Sequence, residues 1–191
     1  MYKLFYLLVA VMLSCDPVPV LVEPETDTVE EPELEFETCS QNIEDHPCNF
    51  SLKNQRGESV ELYDFYGKVI VVDFSVMWCG PCFSMAQAAD PIVNEYGSEN
   101  IEWLTIIIED ETGQAPDQSD LQRWADAAGI TGHVLGSDRS MVDLNAQTGY
   151  PITSWPTFVV IDQEMVLRYG VSGWSESMLR QMLDSLINTG A

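Results

Sequence analysis

Cys79 and Cys82 stand two residues apart in the stretch Trp78-Cys79-Gly80-Pro81-Cys82. An apolar run, residues 69–76, precedes them, and a segment that reads as helix follows. Two thiols spaced this way at a strand-to-helix junction can close a short disulfide and reopen it. That is the arrangement thiol–disulfide exchange needs. A cysteine at the helix N-terminus meets partial positive charge, which stabilises its thiolate. The second lies one turn in. Pro81 suits a first helical turn, where its missing N–H is not needed.

The other chemistry-bearing residues are few. The chain has five cysteines and two histidines. Cys15 ends an N-terminal apolar segment. Cys39 and Cys48 are neighbours in sequence. These two and the active pair allow three pairings. Linking 39 to 48 and 79 to 82 is the simplest, because short loops close most easily. Between Cys39 and Cys48 lies His46, so a metal site of Cys39, His46 and Cys48 competes with a structural disulfide. Zinc wants four ligands, and an exported chain tends to oxidise its thiols. The disulfide is therefore expected, and no metal. His133 reads as a polar residue near a strand end. Asp73 is a lone acid in an otherwise apolar run.

These residues need a scaffold to position them. Residues 50–52 and 59–62 flank a turn with Asn54 and Gly57 and read as a hairpin. Residues 69–74 are apolar except Asp73, which fits a central strand buried on both faces. A helix is predicted over residues 81–96, kinked near Pro91 and stopped at Gly97. Residues 101–108 are β-branched and apolar, a second central strand, followed by a polar loop over 109–118. Ser119 is a candidate cap for a helix with Leu121, Trp124, Ala125 and Ala128 on one face, ended by Gly129. A short strand at 133–135 and a helix over about 139–147 follow. Residues 157–161 and 165–169 read as two strands joined by Asp162-Gln163-Glu164. Ser175 is a candidate cap for the last helix, whose apolar face holds Met178, Leu179, Met182, Leu183, Leu186 and Ile187. Strand–helix–strand order, then a hairpin and a terminal helix, gives an α/β fold: a mixed central sheet with helices on both faces.

The formal charge of -23 over 191 residues makes nucleic acid and anionic membrane surfaces poor partners. Residues 16–38 hold nine acidic side chains and no Lys or Arg. Repelling charges and interspersed prolines describe a solvated tether, with an acidic docking tail as the alternative. Residues 4–13 are apolar, a length that suits a secretory segment and is too short to span a bilayer. Met12-Leu13-Ser14-Cys15 resembles a bacterial lipobox, with Met12 where Leu is usual. It implies lipidation at Cys15; an ordinary signal peptide is the alternative. The organisation is a signal peptide over 1–15, a tether over 16–38 and a domain over 39–191.

Several stretches together resemble the thioredoxin superfamily. Asp73 lies six residues before Cys79, where thioredoxins keep a buried acid. Trp155-Pro156-Thr157 and the apolar residues after it are similar to the family's cis-proline loop and following strand. Leu62-Tyr63-Asp64-Phe65-Tyr66-Gly67-Lys68 is similar to the exported TlpA/ResA-like branch. The resemblance covers about residues 48–188 and implies a thioredoxin-like fold and a protein-disulfide oxidoreductase. It implies Cys79 as nucleophile, Cys82 as resolving thiol and Asp73 as the base acting on Cys82. Trp78, Trp155 and Pro156 would line the substrate groove; thioredoxins more often carry Ile, Val or Thr where Trp155 stands. No cofactor beyond the redox-active disulfide is implied.

The implied partners are exported cysteine-containing proteins and an upstream membrane or periplasmic electron donor. The implied location is extracytoplasmic, at the bacterial cell membrane or in the periplasm, through an N-terminal lipid anchor. Proteins of this motif span ~150 mV in potential, from about -270 to about -120 mV. Gly-Pro between the cysteines leans by resemblance toward the reducing end. A copper-binding chaperone is the competing class. Its relatives in this superfamily space their cysteines by three residues and use a distant histidine, the position His133 would have to fill. Peroxidatic relatives lack the vicinal pair and carry Thr or Ser where Val76 stands.

Overall fold

The computed structural model describes residues 34–144 and 149–187. The signal segment, Cys15, residues 16–33 of the tether, residues 145–147 of the expected 139–147 helix and the chain's last four residues lie outside the described residues. Among the described residues no helix is long and apolar enough to cross a membrane.

The chain opens with a hairpin of β1 (Ser51–Asn54) and β2 (Ser59–Glu61). Its turn is built by Asn54, whose side-chain oxygen accepts the N–H groups of Arg56 and Glu58 at 2.9 and 3.0 Å. Gly57 sits at φ 80, a conformation that suits glycine. A 3-10 turn, Leu62–Phe65, then leads to β3 (Val69–Val76), buried at every position. Next come α1 (Gly80–Tyr96) and β4 (Ile101–Glu109), which lies parallel to β3. Such a crossover needs a helix to cover the sheet. α1 stays helical through Pro91 and stops at Gly97, φ 89.

After β4 the chain forms α2 (Gln118–Ala128) and β5 (His133–Gly136). The cap of α2 is Asp117, two residues earlier than the expected Ser119. Asp117 accepts the Asp120 N–H at 3.0 Å, and Asp120 returns the bond to the Asp117 N–H at 2.9 Å. A carboxylate beside the positive end of a helix is a strong cap, and the Ser119 hydroxyl is spent on that same carboxylate. The expected 139–147 helix is also corrected. Among its described residues, 139–144, only a 3-10 turn, Arg139–Met141, forms, capped by Asp138. Val142 is extended and bridges Tyr150 in parallel. A Cβ at Gly149 would fall 2.6 Å from the Met141 carbonyl oxygen, so the chain at Gly149 packs closely on that turn.

β6 (Thr157–Ile161) and β7 (Leu167–Ser172) complete the sheet, and α3 (Glu176–Ile187) follows. β7 begins later than residue 165 because the turn is longer than three residues. The Asp162 carboxylate accepts from Glu164 and Val166 N–H groups, and Met165 adopts φ 59. In α3, Leu179 and Leu183 are buried while Met178 is exposed, a narrower apolar stripe than expected. Ser175 accepts the Leu179 N–H on its carbonyl; its hydroxyl faces Ser177 at 3.3 Å.

The seven strands form one mixed sheet, ordered β2-β1-β5-β4-β3-β6-β7. β3 and β4 sit at its centre, so whatever follows the end of β3 is held by the most buried part of the molecule. The free edge of β7 is covered by the loop between Cys39 and Cys48. Glu44 N–H donates to the Leu167 carbonyl at 2.8 Å, and Leu167 N–H donates to the Asp45 carbonyl at 3.0 Å. Cys39 and Cys48 are joined in a disulfide, with Cα atoms 4.8 Å apart. His46 hydrogen-bonds the Met165 carbonyl through Nδ1 at 2.8 Å and stacks on Phe36 at 3.8 Å. The metal alternative for Cys39, His46 and Cys48 thus gives way to a stapled loop. Phe36 also meets Tyr63 edge-on at 5.4 Å, so chain within the expected 16–38 tether packs on the domain.

Candidate active site

β3 ends at Val76, and three residues later Cys79 caps α1 with extended backbone. Its Sγ accepts the Cys82 N–H at 3.2 Å. Gly80 and Pro81 fill the first helical positions, so the turn costs no backbone donor there. Cys79 and Cys82 are joined in a disulfide with Cα atoms 5.3 Å apart. Cys79 is 8% exposed and Cys82 fully buried. Of the two sulfurs, only that of Cys79 has a route to another molecule.

Asp73 lies on β3 and is fully buried. Ser75 donates to Oδ1 at 2.7 Å, and Thr105 on β4 donates to Oδ2 at 3.4 Å. Burial pushes its carboxyl up to about 7; the two hydroxyls pull back only partly. In the sequence Ser75 stands in one apolar run and Thr105 in another. The period of two along β3 puts Ser75 on the face of Asp73. Thr105 is brought opposite Asp73 by the strand register.

Trp78 is 52% exposed beside the disulfide. Its indole N–H donates to Glu109 Oε2 at 2.9 Å. Glu109 is the last residue of β4, in register with Val76, and its other oxygen pairs with Arg139. A buried carboxylate thus ties the Trp78 ring to the segment after β5. Glu109 was expected in a polar loop, and only the pairing of two strand ends reveals its place.

The Trp155–Pro156 peptide bond is cis. Pro156 is buried, Trp155 half-buried. Among the described residues neither the N–H nor the C=O of Trp155 is hydrogen-bonded. Thr157, the next residue, pairs with Phe74 at the Cys79 end of β3. The loop and the disulfide therefore share one end of the sheet. His133 does not. It pairs through Leu104 with the level of Val72, four residues short of the strand end, or about 13 Å at ~3.3 Å per residue. Its Nδ1 lies 3.5 Å from Asn54 Nδ2. Burial lowers its affinity for a proton.

A Cys79–Cys82 disulfide at a helix start and a buried acid on the central strand of a mixed sheet, together with the relatives named below, define a thiol–disulfide oxidoreductase of the thioredoxin superfamily. The chain belongs to the AhpC/TSA family, whose model matches residues 43–170. It is 26% identical over 137 residues to the thioredoxin-like protein YneN of Bacillus subtilis, covering 71% of this chain and 75% of that one. It is 24% identical over 137 residues to the thiol-disulfide oxidoreductase ResA of Halalkalibacterium halodurans, covering 71% and 72%. Among solved structures it is similar to the pneumococcal exposed lipoprotein thioredoxin Etrx1 of Streptococcus pneumoniae. That match has a TM-score of 0.58 and 27% identity, covering 73% of this chain and 100% of that one.

Proposed function

We propose that the protein reduces disulfides of exported proteins through Cys79 and Cys82, from a lipid-anchored position outside the cytoplasm. The observation that carries this reading is the unequal setting of the two sulfurs. Cys79 sits at the helix start with an N–H directed at its sulfur, and Cys82 is sealed beneath it. In the reduced protein the Cys79 thiolate attacks a substrate disulfide. One substrate sulfur leaves as thiolate and a mixed disulfide forms. Cys82 loses its proton and attacks the Cys79 sulfur. The second substrate sulfur leaves, so two electrons pass to the substrate and Cys79–Cys82 closes. A thiol donor upstream reopens it.

Asp73 serves as the base for Cys82. A carboxyl near 7 is poised to take and return a proton at neutral pH. The unpaired backbone of Trp155, next to Pro156, can bond an extended substrate segment. Trp78 forms a lip over that groove. An extracytoplasmic, tethered location is supported by the 4–13 apolar segment ending at Cys15. It is supported also by the likeness to an exposed lipoprotein thioredoxin. The Cys39–Cys48 disulfide suits an oxidising compartment.

No observation favours copper delivery, since His133 is bound up with Asn54 well below the level of the cysteines. Insulin reduction tests the reading. The wild type should turn over with a dithiol donor, and Cys79→Ser should lose turnover entirely. A folded wild type that leaves insulin oxidised would remove the proposal.

A further inference from the structure

Asp73 projects from one face of β3, between β4 and β6. Strand register places Thr105 beside it on β4 and Phe158 beside it on β6. Paired residues share a face, and so do residues two apart on one strand. Trp103, two before Thr105 and paired with Val71, therefore projects on the same side. Two aromatic side chains thus flank the stretch from Val71 to Asp73. Phe74 points the other way, where the Tyr150 ring meets it at 4.5 Å.

Trp174 touches both flanking rings. Its centroid lies 6.4 Å from that of Trp103 and 6.3 Å from that of Phe158, edge-on in each case. With β3 between them, β4 and β6 stand about 10 Å apart at the usual strand spacing. A ring in contact with side chains of both must lie over β3, at the level of Val71 and Asp73. Those two side chains are shorter than the rings beside them, so Trp174 roofs them. Trp174 is half-buried, whereas Trp103, Phe158 and Asp73 are buried. Of this cluster, Trp174 is the layer that meets water. Its backbone is held from the active-site end. Gly173 N–H donates to the Pro156 carbonyl at 2.7 Å, and Gly173 takes φ 88 to turn the chain into Trp174.

The polar groups that reach Asp73 are the Ser75 and Thr105 hydroxyls. β6 offers Phe158. α1 buries Cys82 and Met85, and α3 buries Leu179 and Leu183, none of them charged. No charged side chain acts on the carboxyl, and burial is what raises it. Whatever keeps water from Asp73 therefore sets its chemistry. We propose that Trp174 is a positioning residue for the exchange reaction: its ring closes the Asp73 face of the sheet to water and so keeps that carboxyl fit to take the proton of Cys82. The inference rests on the reading of Asp73 as the base for Cys82 and adds the residue that maintains it.

The test takes two readings on the full-length protein. Infrared titration of the oxidised form follows the Asp73 carboxyl, assigned by difference from Asp73→Asn. Stopped-flow follows the Cys82 step against pH. Trp174→Ala should lower the carboxyl midpoint by about one pH unit, because water admitted to a buried carboxyl removes part of its burial shift. The rise of the Cys82 step should move down with it, and its plateau should fall severalfold as the base weakens. Trp174→Phe, which keeps a ring, should stay near the wild type. In an Asp73→Asn background, Trp174→Ala should change the pH profile no further. A merely structural role would lower thermal stability and leave the carboxyl midpoint where it was. A folded Trp174→Ala with that unmoved midpoint would overturn the proposal. If Trp174→Ala does not fold, Trp174→Leu decides by the same reading, a lowered midpoint supporting the proposal and an unmoved one overturning it. If the carboxyl midpoint moves while the Cys82 step does not, Trp174 still seals Asp73, and it is Asp73 as the base that fails.

Discussion

At the scale of single residues, Asp73 is the group whose chemistry the fold alters most. Its carboxyl is raised from 3.8 to about 7 by burial. A carboxyl raised in the folded state stays protonated there while the unfolded chain ionises. The stability it contributes is complete below about pH 4 and is lost as pH rises to about 7. The loss is roughly 4 kcal/mol from the size of the shift. Asp73→Asn should therefore match the wild type near pH 4 and exceed it in stability at pH 8, by urea unfolding of the oxidised protein. The same substitution should slow the Cys82 step more than the Cys79 step. It should also remove the rise in resolution rate through pH 7, measured by stopped-flow with a mixed-disulfide substrate. A variant with the wild-type pH profile would exclude Asp73 as the base.

At the scale of elements, the edge loop is held by one covalent bond and a few hydrogen bonds. Cys39 and Cys48 are nine residues apart, and opening their disulfide should cost about 2–3 kcal/mol. Cys39→Ser with Cys48→Ser should lower the thermal midpoint and speed exchange of the Glu44 and Leu167 amides first. Unchanged exchange there would mean that the loop is held without its staple. The elements also show what could be read in advance. The central strands, the helix behind Cys82 and the edge disulfide follow from local patterns: apolar runs, Pro81 beside a cysteine, two close cysteines. Ser75, Thr105 and Glu109 did not, because their partners come from register. Thr105 meets Asp73 across 32 residues of sequence, and Glu109 meets Trp78 across 31. The helix expected at 139–147 does not form over its described first residues for a similar reason. Val142 finds Tyr150 as an extended partner, a tertiary contact that overrides local propensity.

At the scale of the whole molecule, a buried, rigid sheet holds one accessible sulfur at its end, on a chain of charge -23. Basic partners should be drawn to it, and their association should weaken with salt. The anchor proposed at Cys15 would add the membrane. Metabolic labelling with a fatty acid should mark the wild type and not Cys15→Ala, and only the wild type should sediment with membranes. An unlabelled wild type would end the anchor. The two active-site cysteines divide the labour in this reading, and trapping of partners in cells separates their roles. Cells expressing either single variant are acid-quenched, alkylated and run on a non-reducing gel. Cys82→Ser keeps the attacking sulfur and lacks the resolving one, so it should accumulate mixed disulfides with partner proteins. Cys79→Ser should capture none. Capture by Cys79→Ser and not by Cys82→Ser would contradict the account.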